Sequence, residues 1–224
     1  MSRPPQGVGH STQGEPPGNF PGGVVDSRPV STPAFSHFFA TLSLLVWVGT
    51  IVTVALAIAR RVAPDSALAA FFDDLGSVAL WLAWLVAAVT TAGSLYYSQV
   101  AGFLPCELCW LQRICMYPLS VILVIAAVRR DRRVWTYVAP LTVIGAGIAA
   151  YHTQLQAFPA QRSFCATTVP CTTRYVWEFK FVSLPFMALS SFCFVLAMVV
   201  VAAVTDPDRG DAVPTLSPAT KDAS

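Results

Sequence analysis

Residues 105–133 read PCELCWLQRICMYPLSVILVIAAVRRDRR, and the order of these side chains decides the fold. The apolar run Cys109–Val128 is about as long as a helix must be to cross a hydrocarbon core of ~30 Å. Lipid offers no water to a peptide group, so such a run spans as a helix, whose hydrogen bonds are all internal. Two cysteines stand at one end. Four arginines (Arg129, Arg130, Arg132 and Arg133) stand at the other. Short arginine-rich loops are retained on the cytoplasmic side, so this one segment sets both a span and its direction.

Working outward, four further stretches have similar length and polarity: near Phe38–Ala59, Val78–Gln99, Val134–His152 and Val182–Val204. The composition agrees. Of 224 residues, 55% are hydrophobic and 12% charged, about half the charge of a soluble domain, and the mean hydropathy is +0.60. A net charge of +2, with no basic patch interleaved with aromatics, gives no reason to expect a nucleic-acid partner. Residues 1–35 and 205–224 are rich in Pro, Gly, Ser, Thr and Asp. They cannot bury enough surface to offset their ordering entropy and read as disordered tails. The first stretch ends in the small-residue run Ala55-Leu56-Ala57-Ile58-Ala59, as a signal peptide does. It follows a long tail without a short basic start, and Arg60 and Arg61 come after it, so it reads as an uncleaved span.

Counting spans from the arginine loop puts residues 60–77 and the C-terminus in the cytoplasm and the N-terminus outside. The loops around Gln99–Glu107 and Thr153–Phe181 then face outward. Tyr96, Tyr97, Trp110, Tyr151, Tyr175 and Trp177 gather at that outer rim, where amphipathic rings favour the interface. Arginines alone thus place Cys106, Cys109, Cys165 and Cys171, four of the six cysteines, toward a compartment where disulfides persist. Pro105 suits the approach to a helix, so Cys106 and Cys109 occupy an opening turn, whose N-terminus favours a thiolate. Arg113 lies one turn beyond Cys109, where its charge can meet a thiolate or a ligand oxygen. By itself it also fits an arginine snorkelling to the interface; within a span it is a functional candidate.

Cys106-Glu-Leu-Cys109-Trp-Leu-Gln112-Arg113, followed by Met116-Tyr117-Pro118, resembles the signature of the DsbB/BdbC disulfide-bond formation proteins. Tyr151-His152 closing a span fits the same pattern, as does a second cysteine pair before Ser183-Leu184-Pro185-Phe186. The resemblance covers about residues 78–204. It implies an all-α membrane protein with a four-helix transmembrane bundle at 78–204; the additional N-terminal helix with its cytoplasmic loop at 36–77, read above from hydropathy and arginine placement, departs from that four-helix pattern. The resemblance also implies a protein-thiol:quinone oxidoreductase of the plasma or inner membrane. Such an enzyme reoxidises an extracytoplasmic thioredoxin-like thiol oxidase of the DsbA type and passes the electrons to the quinone pool, ubiquinone or menaquinone. Carried over by motif, Cys165 and Cys171 exchange with the partner, Cys165 forming the mixed disulfide. Cys106 and Cys109 face the quinone, with Cys109 nearest the ring, Arg113 in contact with it and Gln112 supporting the site. His152 is a further candidate for the quinone site, against the plainer reading of an interfacial polar residue. Cys115 and Cys193, outside the motif, read as small buried hydrophobes.

Other readings use the same residues. Four cysteines are a zinc set, but the C-x5-C spacing of the second pair and an oxidising face argue against metal, and no metal site is assigned. Two structural disulfides on a non-catalytic scaffold are a second alternative. A CxxC bridge closes so short a loop that it is a poor staple, and structural disulfides titrate below about −300 mV, unlike catalytic ones. A quinone-linked reductase of the vitamin-K-epoxide-reductase type is a third, although there the CxxC comes late in the bundle. Residues 174–181, RYVWEFKF, read either as a segment along the outer membrane surface or as a short loop.

The orientation has a direct test. An impermeant thiol reagent applied to reduced intact cells is expected to label Cys165 and Cys171. Labelling that requires permeabilisation would invert the topology.

Overall fold

The computed structural model describes residues 32–205 apart from 162–164 and 166–168. The expected tails at 1–35 and 205–224 therefore fall almost wholly outside the described residues. Within them the chain is all-α, with five helices long and apolar enough to cross a membrane. They are α1 (Thr32–Val62), α2 (Ala67–Leu95, continued by a π-helical turn Tyr96–Val100), α3 (Glu107–Arg129), α4 (Trp135–Ala157) and α5 (Leu184–Val204).

The helix ends follow from local chemistry. Ser66 caps α2, accepting the Ala69 N–H at 3.2 Å. Arg60 pairs with Asp73 at 2.9 Å. The connection expected over 60–77 is thus mostly helix, because a hydropathy reading stops at the edge of the lipid whereas a capped helix continues into water. α3 ends with Arg130 in the left-handed region (φ 54°), so that the Asp131 N–H bonds the Ala126 carbonyl at 2.9 Å, closing the helix as a Schellman-type turn. Asp131 then accepts the Arg133 N–H at 2.9 Å to open the short 3₁₀ turn Arg132–Val134. Pro185 occupies the first turn of α5, where its missing N–H costs nothing.

α5 is the central element, packing against α1, α2 and α4, while α3 packs mainly on α2 and α4. Phe72, Leu119, Leu123, Phe192, Val195 and Val199 form the core between them, and Cys115 lies in it as a small apolar group. Cys193, expected to be buried, is only half-buried. Arg132 donates to the Thr205 carbonyl at 2.6 Å, fastening the arginine turn to the end of α5. At the opposite end the connections 101–106 and 169–183 meet. There Trp110, Tyr151, Tyr175 and Trp177 are exposed as expected of a rim, but Tyr97 is buried. From the π turn it stacks on Phe103, centroids 5.5 Å apart, and Phe103 stacks on Tyr175 at 4.8 Å. Residues 174–181 form a loop closed by an antiparallel bridge between Glu178 and Val182.

Gly145 on α4 faces the fully buried Phe192 so closely that a Cβ there would enter the ring. Gly145→Ala is therefore expected to lower thermal stability in detergent by about 1–3 kcal/mol, the usual cost of overpacking. Gly147→Ala, which meets nothing within 4 Å, is expected to leave it unchanged. Equal melting of the two variants would contradict this packing.

Candidate functional site

Cys106 is the N-cap of α3, its backbone extended (φ −75°, ψ 175°). Its sulfur accepts the Cys109 N–H at 3.4 Å, one of the donors that a helix start leaves without an internal partner. The Cys106 and Cys109 sulfurs are 2.9 Å apart and are not disulfide-bonded. Cys165 and Cys171 form a disulfide. Its two ends differ in access: Cys165 is half-buried, whereas Cys171 is 1% exposed. Labelling of the reduced loop therefore falls mainly on Cys165.

α4 brings the two pairs together. His152, 1% exposed, directs Nε2 at the Cys171 carbonyl (3.0 Å) and lies 3.7 Å from the Cys106 sulfur. A carbonyl only accepts, so Nε2 carries the proton and Nδ1 accepts from the Gln112 amide at 3.0 Å. The Cys106 sulfur, the Cys171 sulfur and a His152 nitrogen all lie within 4.8 Å of one another. Since Cys171 is bonded to Cys165, this trio is arranged for exchange between sulfurs. One turn on, Gln156 donates to the Thr173 carbonyl at 2.9 Å, and Arg174 donates to the Gln156 carbonyl at 2.8 Å through Nε. The end of α4 thereby holds the disulfide loop down on α3.

On the far side of Cys109 a cavity of about 270 Å³ opens between α1, α2, α3 and α5, with Cys109, Gln112 and Arg113 in its wall. Arg113 does not snorkel freely. Its Nε donates to Ser94 Oγ at 3.0 Å and its Nη2 to the Ser94 carbonyl at 3.1 Å, while its guanidinium lies 5.3 Å over Trp110. Ser94 Oγ also meets the Tyr117 hydroxyl at 3.2 Å. The structure therefore brings Cys109, Gln112 and Arg113 to one cavity and places His152 elsewhere, between the cysteine pairs. The reason is that its ring is committed to Gln112 and to the Cys171 backbone. Ser94 escaped the sequence reading, and Tyr117 entered it only within the run Met116-Tyr117-Pro118 and without a role, because a serine and a tyrosine within a span announce nothing until the fold sets both against the arginine.

A helical bundle with a capping thiol set against a second, half-accessible disulfide defines a membrane protein for thiol–disulfide exchange. A family model described as disulfide bond formation protein DsbB matches residues 76–204. Disulfide bond formation protein C of Bacillus subtilis (strain 168) is 44% identical over 121 residues, 53% of this chain and 88% of the relative. A probable disulfide formation protein of Chlamydia trachomatis serovar D is 39% identical over 128 residues, 57% of this chain and 94% of the relative. No solved structure gives a significant match. The chain belongs to the DsbB family of disulfide bond formation proteins, and its role is disulfide formation at a membrane.

Hydrogen bonding from Cys109 lowers the Cys106 pKa below the ordinary thiol value; His152 and the Cys109 N–H act in the same direction and together they outweigh burial, which raises it. With the pKa lowered, the thiolate fraction saturates at a lower pH than for a free cysteine. Ultraviolet titration of reduced protein lacking Cys115 and Cys193 is expected to show one thiolate forming early, and His152→Ala to move that step to higher pH. An unmoved step would remove His152 from the thiolate's surroundings.

Proposed function

We propose that the chain oxidises a reduced thioredoxin-like partner of the DsbA type outside the cytoplasm and passes two electrons through Cys165–Cys171 and Cys106–Cys109 to membrane quinone. The observation that carries this reading is the meeting of Cys106 with Cys171 on one side of Cys109 and a cavity holding Arg113 on the other. The redox unit is the four-helix part, 78–204. Its cysteine end faces outward, since Arg129, Arg130, Arg132 and Arg133 lie at the other end.

The partner thiolate attacks Cys165, the more accessible sulfur. The Cys165–Cys171 bond breaks, a mixed disulfide forms and Cys171 leaves as thiolate. The partner's second thiolate then releases the partner in its disulfide form. Cys171 attacks Cys106 of the Cys106–Cys109 disulfide, the sulfur beside it, and Cys109 leaves as thiolate. Attack of Cys165 on Cys171 restores the outer disulfide and leaves Cys106 and Cys109 as the reduced pair. Quinone, when bound, supplies the acceptor for two electrons and two protons. Three features of the site suit it: walls that are mostly apolar, a cysteine sulfur at the edge, and a fixed guanidinium where charge develops on an oxygen. A cation in a low-dielectric site stabilises such charge more than one in water. Gln112 joins this wall to His152.

Cys165→Ala is expected to abolish turnover with the protein partner while the Cys106–Cys109 dithiol still reacts with quinone, whereas Cys109→Ala loses quinone reduction. Cys115→Ala and Cys193→Ala retain most activity. Arg113→Ala and Arg113→Lys raise the KM for quinone, Ala more strongly, since lysine keeps the charge but not the planar fork that holds both Ser94 atoms. Reduction of Cys165–Cys171 by the partner is expected to be unchanged in both. Steady-state kinetics over a quinone series checks this, and unaltered quinone kinetics in Arg113→Ala would unseat the cavity as the quinone site.

A further inference from the structure

The family match begins at residue 76, so α1 lies outside it, yet α1 contributes Phe39, Leu42, Ser43 and Val46 to the lining of the Cys109–Arg113 cavity. These four recur at the i, i+3, i+4, i+7 spacing of one helical face. The other face is exposed, with Leu45, Val48, Ile51 and Val52 presenting apolar surface suited to lipid.

The wall is held in register. At the outer end His37 pairs with Glu178 at 3.0 Å, Tyr97 donates to Ser36 at 3.4 Å and Phe35 stacks on Tyr96 at 4.5 Å. Phe39 packs directly on Gly93, where a Cβ would stand 3.0 Å from its ring. Lower down, Gly49 stands in the same relation to Phe194. Both glycines are sites of close approach between helices. α1 thus lies against both α2 and α5, and α4 contributes nothing to the cavity lining.

We infer that α1 is a built wall of the quinone site and that Leu42 and Val46 select among quinones by ring size. This rests on the quinone reading above. The selection is steric. The Phe39, Leu42 and Val46 side chains are apolar, and the Ser43 hydroxyl is turned to the Ala40 carbonyl at 2.7 Å, so none of the four α1 residues that line the cavity offers an uncommitted side-chain donor to a ring oxygen. Polar recognition is left to α3.

The test compares a monocyclic benzoquinone with a bicyclic naphthoquinone, using the full chain in detergent. Leu42→Ala and Val46→Ala are expected to shift the ratio of kcat/KM about tenfold toward the bicyclic ring, within the range that a few methylenes confer in an apolar pocket. Leu42→Trp is expected to raise the KM for both, more for the bicyclic ring. Reduction of Cys165–Cys171 by dithiothreitol, unchanged in each variant, reports an intact fold. As a readout apart from turnover, a photoreactive azido-naphthoquinone is expected to label the α1 segment 39–46 together with α3. If the wild type reduces quinone, but the Ala variants leave the ratio unmoved and label appears on α2, α3 and α5 alone, the wall assignment fails and the quinone site stands. If the wild type neither reduces quinone nor takes label in the cavity, the quinone reading fails and the wall goes with it.

Discussion

One buried imidazole holds the site together. His152 has two ring nitrogens and three neighbours: the Cys171 carbonyl, the Cys106 sulfur and the Gln112 amide. A buried polar group left unpaired costs about 1–3 kcal/mol, so each neighbour constrains the others. The Cys171 backbone cannot leave without stranding the His152 N–H. Gln112 cannot turn without stranding Nδ1. The disulfide loop is thereby kept on the end of α3, and the side chain that keeps it there also touches the cysteine that caps that helix.

The membrane explains why the chemistry is at this end. Within lipid the backbone must be helical, and irregular backbone is admitted only where protein covers it. Extended segments that can bring two sulfurs together lie beyond the spans, so the two cysteine pairs and His152 are gathered into the first turn of α3, the last turns of α4 and one loop. At the cavity the site reaches down among the helices. There the polar groups are paired: Arg113 with Ser94, Ser94 with Tyr117, and Thr90 with Ser191 at 2.7 Å. The π turn at Tyr96–Val100 lies beside it. From there Tyr97 turns inward to α1 and to Phe103, and an expected rim aromatic becomes part of the wall.

Some of this was legible because the physics is local. Spans are readable because a bilayer demands about 20 apolar residues in a row. The CxxC pair, Gln112 and Arg113 are readable because one helix start presents them within two turns. The helical segment 67–77 was not, since outside lipid a capped helix and a loop have similar polarity. Nor was the inward turn of Tyr97, which depends on a π turn with no composition of its own. His152 could be singled out as a histidine ending a span, but its neighbours come from α3 and from a loop nineteen residues on.

The sequence by itself determined five spans and the clustering of four cysteines at one end, because those properties depend on runs of side chains measured against a slab of lipid. Only the tertiary structure decided which sulfur meets which, that Cys171 rather than Cys165 lies beside Cys106, and that α1 closes the cavity. Those outcomes depend on distances between residues far apart in the chain. They also rest on ordinary leucines, valines and glycines, whose meaning is set entirely by what the other helices place against them.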